Sequence, residues 1–297
     1  MLAQVFIGII LALFSALCAA ATQATLSKPI VASDTRSVAF FTIIIGLVIS
    51  GSLTLATESL SFVQTLTPEI LFIFAGVGLL QYGISRSTFY TAIKNLGANV
   101  TAPIVAVGIS VGSILLALVV LREHLTEIVA IGIVTVITGM LLLEGRKAAI
   151  LRGGNTRVGY VAAIIAATIP AFTTIMISYG LSIYHYVFAS VFISFATASV
   201  YYLATQGTRP IARLVSSSPR NSMILFSLAG IFAISTQILR AGALSYAPVV
   251  IATPFLTSSN LFIPLMTWMI AKDVEVFNIR TVIGIVIITV GLILVTL

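Results

Sequence analysis

The chain has 297 residues, 59% of them hydrophobic and 8% charged, with a mean hydropathy of +1.19. Soluble domains carry roughly 25% charged residues, so a water-soluble core is excluded and the chain reads as a polytopic membrane protein. The net charge of +7 comes from cations in short loops, which set membrane orientation and offer nucleic acid no folded basic surface.

A membrane-spanning helix needs about 20 mostly apolar residues. Ten runs qualify, at roughly 4–26, 38–57, 69–90, 98–121, 125–143, 158–179, 185–205, 222–242, 248–271 and 279–297. They are too long and too uniformly apolar for barrel strands, which alternate over about ten residues. The predicted fold class is therefore an all-α integral membrane protein, multi-pass in the cell membrane, with ten transmembrane helices.

Span one contains the lone Cys18 and ends in a polar patch that includes Gln23, before Lys28-Pro29. One cysteine excludes an intrachain disulfide. A Gln at a helix end reads most simply as an interfacial residue. The start, Met1-Leu2-Ala3-Gln4, lacks the positive region of a cleaved signal peptide. Span three carries Gln81, Tyr82, Ser85 and Arg86 after a Gly-rich start, and span eight repeats the arrangement with Gln237 and Arg240. The simplest account of either arginine is snorkelling to an interface; the other is a charge site inside the protein. Span six carries Pro170, a helix kink that strips a carbonyl of its donor. His185 reads as interfacial, and the stretch 207–221 as a basic loop.

One helix is written twice. Ala92 to Glu123 reads AIKNLGANVTAPIVAVGISVGSILLALVVLRE, and Ala243 to Asp273 reads ALSYAPVVIATPFLTSSNLFIPLMTWMIAKD. Each reaches a proline eleven residues on, Pro103 and Pro254, and each closes on a cation–acid pair, Arg122-Glu123 and Lys272-Asp273. Gly132 and Gly139 in span five match Gly284 and Gly291 in span ten. Two repeats follow, 1–148 and 149–297, with five spans each. An odd number of spans forces the second repeat to insert upside down, the inverted-repeat plan of many secondary carriers.

Enzyme signatures are missing: there is no His-Glu-x-x-His, no Walker loop and no carboxylate pair within a span. Two His and one Cys make a metal site hard to build, and no cofactor is expected. Glu123 reads as a hairpin marker, not a catalytic acid. What remains is an uncharged polar lining with broken helix ladders, which membranes tolerate only within protein or along a wet cavity. Ser and Thr in spans four and nine read as interhelical glue. Asn99 and Asn260 fit glue and cavity equally. Phe255, Phe262 and Trp268 would form an apolar wall. The expected substrate site thus comprises Gln81, Tyr82, Asn99, Pro103, Gln237, Pro254, Asn260 and Trp268, with Arg86 and Arg240 as charge sites.

These paired motifs, Ala92…Pro103…Arg122-Glu123-His124-Leu125-Thr126 with Gly132…Gly139, and Ala243…Pro254…Lys272-Asp273 with Gly284…Gly291, resemble the drug/metabolite transporter superfamily. In particular they resemble its ten-helix carriers with two EamA domains, and the resemblance covers the whole chain. The chain departs from the family in having Asp273 where Glu is frequent, and no Trp in span one. The resemblance implies a secondary transporter that exports small metabolites, amino acids or amphipathic compounds by alternating access. The alternatives are a lipid or lipid-carrier flippase and, further off, a membrane-embedded enzyme. The partners expected are a small-molecule substrate and the lipid bilayer; ion or proton coupling and oligomeric state stay open. Orientation divides the two lines of argument. Thirteen of the 15 Lys and Arg fall on the face opposite the termini, which places both termini outside the cytoplasm, whereas the resemblance implies both inside.

Overall fold

The computed structural model describes residues 2–26, 29–30, 33–58, 61–143, 155–262, 265–266, 269 and 279–296. The repeat boundary at 148/149, Trp268 and the Lys272-Asp273 pair lie outside them, as do the side chains of Asn99, Pro103 and Asn260. Every described element is helical. Span one is Leu2–Leu26. Span two, Thr35–Leu53, is capped by Asp34 and ends in a π-helical turn, Thr54–Glu58. Span three starts at Pro68 behind the N-cap Thr67, where a missing N–H costs nothing, and runs without a break to Leu96. Span four is Ala98–Leu116 plus a π turn, Ala117–Leu121. Span five is Glu127–Leu143, span six Thr156–Ile183, span seven Val187–Gln206 and span eight Arg220–Tyr246. Span nine is helical over Val249–Thr257 and tightens to a 3-10 turn at Ser258–Leu261; span ten is Ile279–Thr296. Among the described residues, seven helices are long and apolar enough to cross a membrane. The stretch read as a basic loop holds a short helix, Arg209–Ser217, with Pro at its first turn.

Equivalent helices pack as a two-fold demands. Span one lies against span eight, and span six against span three; span four packs on six, and nine on one. Spans two and seven, four and nine, and five and ten meet their own counterparts. The last pair shows the inversion directly. A Cβ on Gly132 would lie 2.9 Å from the Gly291 carbonyl oxygen, and one on Gly139 would lie 3.0 Å from that of Gly284. Gly132 meets Gly291 while Gly139 meets Gly284, so the two helices run antiparallel with their backbones in contact. Lipid offers no hydrophobic drive between helices, and such close approach supplies dispersion in its place.

The face that carries the chain termini is tied across the repeats by two carboxylates. Glu58, ending span two, accepts the Phe188 and Ala189 N–H groups of span seven at 3.0 and 2.8 Å. Glu123, after span four, accepts those of Val249 and Val250 in span nine, both at 2.8 Å. Helix N-termini hold unpaired N–H groups and a positive dipole end, so a carboxylate there is favourable. Glu123 is therefore more than the hairpin marker expected from sequence. Arg122 takes φ 53°, a left-handed conformation rare outside glycine, and this turn aims the neighbouring carboxylate at span nine. Tyr184, beyond the end of span six on the same face, donates to the Phe62 carbonyl at 3.2 Å. Burial, reinforced by Glu58 and Tyr186, pushes its phenol above the usual range and keeps it a donor.

Candidate functional site

A cavity of about 210 Å³ lies between spans one, three, four, six, eight and nine. Ser15 to Gln23 of span one, Ser85 to Tyr90 of span three and Val105 to Ile109 of span four line it from the halves nearer the loop face, and Thr236 to Arg240 of span eight and Thr253 to Thr257 of span nine from the halves nearer the termini.

Span three is shaped for this cavity. Between Gly78 and Ser85 it widens into a π-helix, closed by the Arg86 N–H donating to the Gln81 carbonyl. An i→i+5 turn stacks residue 86 over residue 81, which an α-helix would splay apart; π turns recur at functional sites. Gln81, Tyr82, Ser85 and Arg86 therefore share one face. Span seven supports the widened turn. A Cβ at Gly78 would sit 2.2 Å from the Ser194 carbonyl oxygen, so only glycine lets the helices approach this closely. The Tyr202 hydroxyl donates to the Gly83 carbonyl at 3.0 Å.

The matching spans three and eight meet through side chains. Gln237 Oε1 accepts from Gln81 Nε2 at 3.2 Å and from the Tyr82 hydroxyl at 3.1 Å. Thr173 of span six donates to Gln81 Oε1. The Pro170 kink supplies the next layer. Proline has no N–H for the Ala166 carbonyl, and the Ser85 hydroxyl donates to it instead at 3.3 Å. The Pro170 carbonyl accepts from Arg240 Nη2 at 3.3 Å, and Arg240 also donates to Thr174 Oγ1.

Arg86 is held differently. Its guanidinium carbon lies 5.9 Å from the Tyr82 ring centre and 6.0 Å from that of Phe195, within cation–π range. Neither arginine snorkels, contrary to the simplest sequence account. Span three runs ten residues beyond Arg86, to Leu96, or about 15 Å at the α-helical rise. Arg240 lies six residues before the end of span eight, at Tyr246. Both line the cavity, and so does Gln23, three residues before the end of span one.

Four residues of the lining each carry a buried polar atom with no hydrogen-bond partner: Gln23 Oε1, Arg86 Nη1, Tyr90 Oη and Arg240 Nε. No carboxylate appears among the described lining residues.

The structure thus gathers Gln81, Tyr82, Gln237, Arg86 and Arg240 at one cavity. Pro254 is buried beside it; Thr253, Leu256 and Thr257 of the same helix reach the lining, and Pro254 does not. Phe255 is buried away from the lining, and the apolar wall includes Phe89, Val105, Ala106, Ile109 and Leu256. Sequence reasoning passed over Ser85, Tyr90 and Thr174 as cavity residues. The serines and threonines of spans four and nine do join helices, Ser110 to Thr257 at 2.6 Å and Ser113 to Thr253 at 3.5 Å. Asn95 instead ties span three to the start of span six, accepting the Asn155 N–H at 2.9 Å.

The profile of the EamA-like transporter family matches residues 6–144 and again 157–297. The chain belongs to the EamA-like transporter family. Its two matched segments are the two five-span repeats seen in the fold. A solved crystal structure is similar along its length, with a TM-score of 0.71, 17% sequence identity and coverage of 98% of this chain and 96% of that one. At that identity the likeness concerns the fold. A search of curated proteins finds no significant match. The family and the multi-pass fold make the chain a transporter of the drug/metabolite type, embedded in lipid.

Proposed function

We propose that this EamA-family transporter is a secondary carrier that exports a small metabolite by alternating access through the cavity between its repeats. The observation that carries this reading is the Gln81–Gln237–Tyr82 junction, where symmetry-related spans meet through polar side chains at the cavity. Such a junction can break and re-form as the repeats rock, whereas a packed seam cannot. The cavity volume of about 210 Å³ falls below the roughly 300–1,000 Å³ of pockets for drug-sized ligands, which favours metabolites over large amphipathic compounds.

Export is supported by where the cations stand. With Arg86 and Arg240 inside the cavity, neither adds to the loop bias, and Arg122 is left as the one described Lys or Arg on the face of the termini. The positive-inside rule then favours a cytoplasmic loop face, from which the cavity would load. The Glu58 and Glu123 ties would hold the opposite face closed.

Labelling with an impermeant thiol reagent tests alternation. In a Cys18→Ala background, Ala166→Cys reports the cavity and Ala247→Cys the closed face. Glu123→Gln keeps one acceptor oxygen for two N–H groups and should loosen that face. The expected result is slower labelling at 166 and faster labelling at 247, each by about threefold or more for roughly 1 kcal/mol of lost cap. Unchanged rates at both positions would sink the alternating-access reading.

A further inference from the structure

The two arginines of the cavity have no counter-charge among the described residues that line it. A guanidinium cannot shed its proton in a protein, and a cation deep in a membrane protein is costly unless paired. Arg240 has its Nη2 engaged but its Nε buried and unpartnered; Arg86 rests on two rings with Nη1 buried and unpartnered. Tyr90, 2% exposed and part of the same lining, has a buried hydroxyl without a partner. Among the unpartnered atoms of the lining residues donors therefore outnumber acceptors, and positive charge goes unanswered beside an apolar wall that includes Val105, Ala106, Ile109 and Leu256.

We infer that the cavity binds a small organic anion, its oxyanion group held by Arg240 and Arg86 and its short carbon skeleton against the apolar wall. This inference rests on the carrier reading and gives that carrier its substrate class. A carboxylate or a phosphate monoester matches the planar guanidinium donors. A cation would add a third like charge. A neutral solute would leave both arginines uncompensated. The free Gln23 Oε1 can accept from a hydroxyl on the same skeleton, which favours a hydroxylated anion over a plain one.

Thermal unfolding of the purified, detergent-solubilised protein is the direct test, because a ligand that binds the folded state raises its stability. Four probes separate the possibilities: succinate, glycerol 3-phosphate, the neutral succinamide and the cationic butylamine. At least one of the two anions should raise the melting temperature by several degrees, and which one does so tells carboxylate from phosphate. Succinamide and butylamine should not. Arg240→Gln and Arg86→Gln should each weaken the anion effect tenfold or more. Arg86→Lys, which keeps the charge and controls for folding, should retain part of it. An equal shift with succinamide, a shift with butylamine, no shift with either anion, or an anion effect that survives both Gln substitutions would each overturn the inference. Counterflow of the same anion in proteoliposomes distinguishes the two readings. Arg-dependent binding without counterflow refutes the carrier and leaves the anion site standing. Counterflow of a neutral or cationic solute refutes the anion site and leaves the carrier standing.

Discussion

Spans five and ten, and spans three and eight, are both pairs of equivalent helices related by one pseudo-two-fold, yet they meet in opposite ways. The first pair brings Gly132 against Gly291 and Gly139 against Gly284, backbone on backbone. The second meets through Gln81, Tyr82 and Gln237, with two arginines close by. One symmetry therefore yields a dry seam where the paired residues are small and a polar cavity where they are long. The dry seam has no alternative partner when it opens. The polar junction does, because water or a solute can take over each hydrogen bond. On the proposed alternating-access reading, movement therefore belongs to the polar pair and rigidity to the dry one.

The most damaging way to break the comparison is to thicken the dry seam. Gly132→Leu places a branched side chain where even a Cβ would lie 2.9 Å from a carbonyl oxygen and 2.8 Å from Val295 Cγ2. Overpacking costs about 1–3 kcal/mol when neighbours can shift, and here the nearest neighbours include backbone. Loss of folded, monodisperse protein by size-exclusion chromatography is expected, with Gly132→Ala intermediate. A Leu variant that purifies with an unaltered melting temperature would show that the seam is not a fixed one.

The polar pair should answer in the reverse manner, with transport lost and the fold kept. Gln237→Leu removes the acceptor of two hydrogen bonds and leaves Gln81 Nε2 and the Tyr82 hydroxyl to the cavity. Stranded buried donors cost about 1–3 kcal/mol, at the lower end where water can enter. Transport in proteoliposomes should fall about tenfold while yield and melting temperature change little. Equal loss of stability in Gln237→Leu and Gly132→Leu would erase the distinction between the two seams.

Much of this contrast could be read from residue order. The ten spans, the doubled helix and the seven-residue glycine spacing of spans five and ten all follow from apolar run length and small-residue position. The arginines were harder. A span boundary drawn near residue 90 leaves Arg86 at a helix end, where snorkelling is cheap; the observed end at Leu96 puts it too deep. After residue 90 the helix carries Thr91, Lys94 and Asn95, which bond to Thr35, the Ser33 carbonyl and the Asn155 N–H, so hydropathy alone ends the helix early. The π turn at Gly78–Ser85 has no hydropathy signature, since it depends on Gly78 meeting the Ser194 backbone and Tyr202 serving the Gly83 carbonyl. The Glu58 and Glu123 ties join residues more than a hundred positions apart and no local pattern announces them.

The comparison sharpens further at Pro170, where the polar region borrows a donor that a regular helix would have supplied. Ser85→Ala leaves the Ala166 carbonyl without its hydroxyl partner. A loss of about 1 kcal/mol is expected for one buried hydrogen bond. If the bond exists because the helix lacks an N–H at residue 170, Ser85→Ala should cost almost nothing in a Pro170→Ala background. A double-mutant cycle of melting free energies reads this coupling directly; additive losses would mean that Ser85 serves some other group.

The smallest effect belongs to spans four and nine, which stand between the two extremes. They too are counterparts, and Ser110 meets Thr257 at 2.6 Å. Each residue is buried, Ser110 at 1% exposure and Thr257 at 7%. Thr257 also donates to the Thr253 carbonyl of its own helix at 2.8 Å, so it keeps an intrahelical partner when Ser110 is lost. Ser110→Ala should therefore cost about 0.6 kcal/mol, the mean for interhelical hydrogen bonds in membranes. Transport should stay within about twofold of the parent. A tenfold loss with an unchanged melting temperature would move this contact from the static seam to the moving one, and span four would join spans three and eight as a working part of the carrier.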